Sequence, residues 1–150
     1  LGLLTINAMT AVDEVMIPIQ CEYYALEGVG QLLGNIGMIR EHLNHNLHIS
    51  AIVLTMYDAR TRLAADVAGE VRNQFGEVVL RNVIPRSVKV SEAPGYGQTV
   101  IDYDPLSSGA LAYYDAAREL ATRGDYQPHA TTGPIGVSPQ VAQQLDEGEE

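Results

Sequence analysis

The sequence predicts an α/β fold, a mostly parallel sheet with helices on both faces. Three observations point there. Short continuous apolar runs recur along the chain, each bounded by turn or polar residues, as in strands buried on both faces. Helix-period segments separate them, so the order reads strand, helix, strand, helix, strand, helix. The composition is that of an ordinary globular domain, with 46% hydrophobic and 19% charged residues over 150 positions.

The elements follow in chain order. Leu1 to Val12 is apolar, with Leu4, Ala8, Ala11 and Val12 at helical spacing. Val15 to Gln20 is a continuous apolar run and reads as a buried strand, with Pro18 near its end. Tyr23 to Asn44 is the longest periodic segment. Leu26, Val29, Leu32, Leu33, Ile36, Ile39 and Leu43 share a face, which Arg40 interrupts. Its glycines Gly28, Gly30, Gly34 and Gly37 each cost about 1 kcal/mol relative to Ala, so close packing or partner contact is expected on this helix. His48 to Tyr57 is the second strand. Thr61 to Phe75 is a helix with Leu63, Val67, Val71 and Phe75 spaced by four, closed by Gly76 and capped by Asp58 or Thr61. Val78 to Ile84 reads as a third strand stopped by Pro85. Ser87 to Thr99 is irregular, and Val100 to Tyr103 reads as a short extended piece. The last helix opens near Asp104-Pro105, with Ser107 or Ser108 as cap, Leu111, Tyr114, Ala117, Leu120 and Ala121 inward, and Gly124 at its end.

Residues 1–124 form the expected α/β unit, and 125–150 read as a disordered acidic tail with prolines and no apolar periodicity. The net charge is −10. A general nucleic-acid binder is basic, so any DNA contact here must be local. One cysteine, Cys21, allows no internal disulfide and suits a reducing compartment. No run is long enough for a membrane span, and no charged start precedes an apolar one as in a signal peptide. The chain begins with Leu1, which is consistent with a piece of a longer protein.

Lys89 is the sole lysine, and it lies in Ser-Val-Lys-Val-Ser. A phosphate-binding Gly-rich loop needs its lysine between Gly and Ser or Thr, at a helix N-terminus. Phosphoryl transfer by this chain alone is therefore not expected, and no catalytic residue is assigned. His42, His45 and His48 read as a polar helix end rather than a metal site. Cys21 lacks a basic neighbour and reads as a core thiol. Asp13, Glu14, Glu22 and Glu27 have no joining His or metal motif and read as structural or interfacial.

Six blocks resemble a known family: Leu-Gly-Leu-Leu-Thr-Ile-Asn-Ala-Met (1–9), Ile-Pro-Ile-Gln-Cys-Glu-Tyr-Tyr-Ala-Leu-Glu-Gly (17–28), Leu-Thr-Met-Tyr-Asp-Ala-Arg-Thr (54–61), Val-Ile-Pro-Arg (83–86), Val-Ser-Glu-Ala-Pro (90–94) and Tyr-Asp-Pro-Leu-Ser-Ser-Gly-Ala (103–110). Together they resemble the ParA/Soj chromosome-partitioning ATPases of the MinD-like, deviant-Walker-A superfamily, over residues 1 to about 123. The resemblance implies the C-terminal part of a P-loop NTPase-like fold, with the phosphate loop and the catalytic Asp N-terminal to the stretch seen here. It implies ATP and Mg2+ as cofactors of the intact protein, with none expected on this chain alone. It also implies a homodimer, a ParB-like partner, nonspecific DNA, and a cytoplasmic, nucleoid-associated location. Thr55, Met56, Pro85, Arg86 and Ser87 become candidates to surround the adenine, although the family usually has Asn where Ser87 stands. Arg81, Arg86 and Lys89 become candidates for DNA phosphates, although Leu106 and Ser108 occupy positions where the family often carries arginine. A different reading is a non-catalytic module that pairs with a full-length ParA.

Overall fold

The computed structural model describes residues 2–123. Its elements are α1 (Leu3–Ala11), β1 (Glu14–Gln20), α2 (Ala25–His42), β2 (His48–Thr55), α3 (Arg62–Phe75), a 3-10 turn (Gly76–Val78), α4 (Val88–Glu92), a second 3-10 turn (Ala93–Tyr96), α5 (Val100–Tyr103) and α6 (Ser108–Arg123). The expected tail at 125–150 and the helix stop at Gly124 lie outside the described residues.

β1 and β2 pair in parallel, with Ile17 opposite Ile52 and Gln20 opposite Thr55. The Cys21 N–H donates to the Thr55 carbonyl at 2.9 Å. Alternation then turns Ile19 and Ile17 toward β2 and Pro18 away from it. The missing N–H of Pro18 thus falls on the side of β1 that meets no strand among the described residues, where a proline costs no ladder bond.

The third segment runs parallel to β2 but is not a regular strand, contrary to the expectation for Val78 to Ile84. It forms isolated bridges instead of a ladder, Val79 with Ile52 of β2 and Pro85 with Tyr57 just beyond it. Leu80 N–H donates to Ile52 O and Ile84 N–H to Leu54 O, both at 2.8 Å, so this segment spends four residues where β2 spends two. The surplus residues Arg81 and Asn82 bulge out, because both donate their backbone N–H groups to the Glu119 carboxylate of α6 instead of to the sheet.

Helices cover both faces. Ile17, Ile19, Ile52 and Leu54 face Val29, Leu33, Ile36 and Ile39 of α2 and Ala64, Val67, Ala68 and Val71 of α3. Ala51 and Val53 face the other way and join Leu80, Ile84 and Ala116 of α6. Burying aliphatic side chains in this way contributes about 1.5–3 kcal/mol each.

Several local expectations are corrected. In α1 the buried residue is Met9, while Leu4 is 84% exposed, because Asn44 ties the Met9 and Val12 carbonyls to the end of α2 and thereby sets the helix rotation. Leu43 and Leu63 are exposed. A Cβ at Gly28, Gly30, Gly34 or Gly37 would meet nothing within 4 Å, so these glycines serve no close packing among the described residues. Val100 to Tyr103 is a helical turn, not an extended piece, because the Thr99 side chain caps it by accepting from Asp102 N. Ser107 caps α6. The inward face of α6 carries Gly109, Ala110, Ala116 and Leu120, whereas Leu111, Tyr114, Ala117 and Ala121 are exposed. Small side chains let α6 approach the sheet closely, and that close approach outweighs the larger residues on its other face. Thr61, not Asp58, caps α3 by accepting from Ala64 N at 3.3 Å. Gly76 ends α3 at φ +59°, a value open to glycine.

Candidate functional site

In open α/β sheets, ligands bind beyond the carboxyl ends of the parallel strands. Three turns lie there: Cys21-Glu22 after β1, Thr55-Met56-Tyr57 after β2, and Pro85-Arg86-Ser87 after the irregular third segment. Hydrogen bonds knit them together. Cys21 N donates to Thr55 O at 2.9 Å, Tyr57 N to Ile84 O at 3.1 Å and Arg86 N to Tyr57 O at 2.9 Å. The Thr55 hydroxyl donates to Ile19 O at 3.3 Å. The Arg86 guanidinium pairs with the Glu22 carboxylate, joining the first turn to the third. Both partners are about half exposed, so the pair contributes at most about 1 kcal/mol and acts mainly to orient.

Met56 carries φ +54°, rare for a side chain other than Gly, Asn or Asp. That conformation turns the chain sharply out of β2. The Met56 N–H, the Arg86 carbonyl and the Ser87 N–H take no part in the bonds that knit the turns. They leave donors and acceptors at the rim, beside the apolar ring of Pro85. Thr55, Met56, Pro85, Arg86 and Ser87, singled out in the sequence, are thus brought together at one edge. Glu22 and Tyr57 belong to the same constellation and were missed. Glu22 stands in the Ile-Pro-Ile-Gln-Cys-Glu block, but nothing in its spacing pairs it with Arg86, 64 positions away.

The three basic residues grouped in the sequence each have surroundings of their own. Arg81 lines a groove of about 490 Å³ with Ser50, Arg72, Glu77 and Arg123. Arg86 is held by Glu22. Lys89 Nζ lies 3.1 Å from Glu92 Oε2 and 5.4 Å from the ring centroid of Tyr103, whose hydroxyl also donates to Glu92. The bond to Glu92 raises the Lys89 pKa, and the bond from Lys89 lowers that of Glu92. Tyr96 stacks on Tyr103 at 5.1 Å and completes the cluster.

Asp58 follows the Met56 turn and accepts from Arg60 Nε and Nη2 at 2.9 and 2.8 Å and from Arg60 N at 3.0 Å. The Arg60 side chain, then its backbone N–H, hold the Asp58 carboxyl at about 2. Cys21 is buried, and burial pushes its thiol up, as for an unreactive core cysteine. His45 Nδ1 bonds the Arg40 carbonyl at 2.8 Å and His48 Nδ1 the Asn46 carbonyl at 3.0 Å, so each ring is anchored separately. Among the described residues no three His, Cys, Asp or Glu side chains gather as a metal site would require.

The family model described as "AAA domain" matches residues 1–49. The chain is 54% identical over 124 residues to the sporulation initiation inhibitor protein Soj of Bacillus subtilis, covering 83% of this chain and 49% of that protein. It is 50% identical over 123 residues to the chromosome partitioning protein ParA of Caulobacter vibrioides, covering 82% of this chain and 46% of that protein. The fold matches the cell division ATPase MinD of Pyrococcus furiosus at TM-score 0.62 and 26% identity, over 81% of this chain and 48% of that one. It also matches a cobyrinic acid a,c-diamide synthase from Mycobacterium smegmatis, solved with ADP and magnesium, at TM-score 0.62 and 33% identity, over 81% of this chain and 42% of that one. The chain spans about half the length of the curated relatives it matches. By this likeness, spread over most of its residues and over the turns at the sheet edge, the chain belongs to the ParA/Soj family.

Proposed function

We propose that this chain is the C-terminal part of a ParA-like ATPase, a dimeric, ATP-dependent DNA-binding switch for chromosome or plasmid partitioning. The observation that carries the reading is the hydrogen-bonded meeting of the Thr55-Met56-Tyr57 and Pro85-Arg86-Ser87 turns at the carboxyl edge. A purine base needs a flat apolar contact and a donor and acceptor pair. The Pro85 ring and the free backbone groups of Met56, Arg86 and Ser87 suit that need. The phosphates and Mg2+ find no comparable fit in the described residues. The sole lysine is bound to Glu92, and among the described residues no three His, Cys, Asp or Glu side chains gather as a metal site would require. In this reading the base edge belongs to this chain, and the phosphate and metal chemistry of the intact protein lies elsewhere. The names of the relatives support the partitioning role, and the ADP and magnesium of one structural neighbour support nucleotide use in the intact protein.

Arg81, Arg86 and Lys89 are proposed as DNA contacts, with a ParB-like protein and a second copy as partners in the cytoplasm on the nucleoid. Among the described residues no helix is long and apolar enough to cross a membrane. The test joins this chain to an N-terminal half bearing the Gly-Lys-Thr loop and measures nonspecific DNA binding with ATP and with ADP. Tighter binding with ATP is expected. Equal binding with either nucleotide would sink the switch.

A second reading is a non-catalytic module that pairs with a full-length ParA. It predicts that the 150-residue chain co-elutes with an intact relative.

A further inference from the structure

Among the described glycines, Gly109 alone has anything near its missing side chain. A Cβ there would lie 2.5 Å from Val90 Cγ2, 3.2 Å from Ser87 Oγ and 3.3 Å from Ser87 Cβ. Ordinary carbon–carbon contact begins at about 3.5 Å, so a methyl group would force one partner to move by about an ångström. Gly109 sits in the first turn of α6, where glycine costs the helix about 1 kcal/mol relative to Ala.

Neither partner yields easily. The first turn of α6 is pinned by Ser107, whose hydroxyl accepts from Ala110 N at 3.2 Å and donates to Asp104 O at 2.7 Å. Behind Gly109, the buried Ala110 joins Ala93 and Val100 in a small core with Val90, Ile101 and Tyr103. Opposite it, Ser87 ends the Pro85-Arg86-Ser87 turn and opens α4, its carbonyl accepting from Ser91 N at 3.4 Å. Val90 lies one turn further on, and Lys89 between them is tied to Glu92 and Tyr103.

We propose that Gly109 is a positioning residue for the base-recognition turn: the bare backbone of the first α6 turn is the stop against which Ser87 and Val90 rest. It sets where Pro85, Arg86 and the Ser87 N–H stand at the rim. The same contact makes the turn and α4 one rigid piece, so a displacement at Ser87 is carried to Lys89. The proposal rests on the base-binding reading above for its ligand and on Gly109 geometry for its mechanism.

The experiment uses the 150-residue chain and adenosine, which presents base and ribose without phosphate. Four proteins are compared: the unmodified chain, Gly109→Ala, Val90→Ala and the double variant. Adenosine binding is read from the 13C-methyl signal of Met56, and the mobility of the turn from amide hydrogen exchange at Val88 to Ser91. Gly109→Ala is expected to speed exchange there and to weaken adenosine binding by about tenfold or more, since an ångström of misplacement is costly at a site. Val90→Ala removes the atom struck at 2.5 Å, so the double variant is expected to recover both readouts toward those of Val90→Ala alone. Unchanged exchange and binding in Gly109→Ala would overturn the proposal, as would a double variant no better than Gly109→Ala, folded or not. If the unmodified chain gives no adenosine response while exchange follows the Gly109–Val90 cycle, the positioning role stands and the base-binding reading falls.

Discussion

The Glu119 carboxylate of α6 accepts three hydrogen bonds from the bulge beside β2: Arg81 N at 2.8 Å, Asn82 N at 3.0 Å and Asn82 Nδ2 at 2.9 Å. Arg123 closes the group at 2.6 Å from Glu119 and donates to the Glu77 carbonyl at 2.7 Å. The Glu119 side chain is only 13% exposed, so the backbone groups it satisfies have little access to water.

Glu119→Ala should therefore destabilise the fold by about 2–3 kcal/mol, because hydrogen bonds to a charged group are lost and their donors left unpaired. Urea unfolding checks this. Asn82→Ala, which leaves the backbone bonds intact, should cost less. Burial pushes the Glu119 carboxyl up, but the Arg81 and Asn82 N–H groups and the Arg123 charge outweigh it and hold the group below its usual 4.5. A depressed value in the folded state adds stability above the unfolded pKa and loses it as pH falls through the folded one. Stability should thus fall below about pH 4 in the unmodified protein and show a weaker acid dependence in Glu119→Gln.

Asp58 follows the same sign. Held at about 2 by Arg60, it contributes stability above its ordinary 3.8 that disappears as pH drops toward 2. Arg60→Ala should return the Asp58 carboxyl toward 3.8, read from its 13C signal across an acid titration. An unchanged value would mean that the pairing does not persist in solution.

Met56 holds φ +54° at the end of β2. A β-branched residue tolerates that region worst, so Met56→Ile should lower stability by about 1–3 kcal/mol. Met56→Gly should lose less, since relief of the backbone offsets part of the lost side-chain contact. Thermal melts of the two variants decide it, and equal losses would show that side-chain packing, not the backbone, dominates at this position.

Lys89→Glu, made in the chain joined to an N-terminal half, should weaken nonspecific DNA binding and lower its salt slope by about one unit. The substitution also sets Glu beside Glu92, so the Lys89→Gln variant is the cleaner comparison. ATP binding should change little, because Lys89 lies beyond the Pro85-Arg86-Ser87 turn. An unaltered salt slope would leave Lys89 as a lysine bonded to Glu92 and nothing more.

The alternation of apolar runs and helical periods was enough to place β1, α2, β2 and α3 and to make the sheet parallel, because burial on both faces of β2 leaves a continuous Ala51 to Leu54 run that no one-sided strand would show. Gly76 marked the end of α3, and Asp58 or Thr61 its start, by local chemistry that needs no distant partner, and the structure settles the cap on Thr61. The candidate rim residues Thr55, Met56, Pro85, Arg86 and Ser87 were legible for a related reason: each lies where an apolar run breaks, and the resemblance of their blocks to a family did the rest. Long-range contact decided what remained. Val78 to Ile84 has the composition of a strand, yet Glu119, 37 residues beyond Asn82, draws two backbone donors out of the ladder. In α6 close approach to Ala51 and Val53 selected the small residues as the inner face, although Leu111 and Tyr114 are the more hydrophobic. Arg81, Arg86 and Lys89 are neighbours in sequence, yet each meets a different partner or groove. A charge settles on whatever carboxylate or groove the fold brings within about 4 Å, and no spacing along the chain encodes that distance.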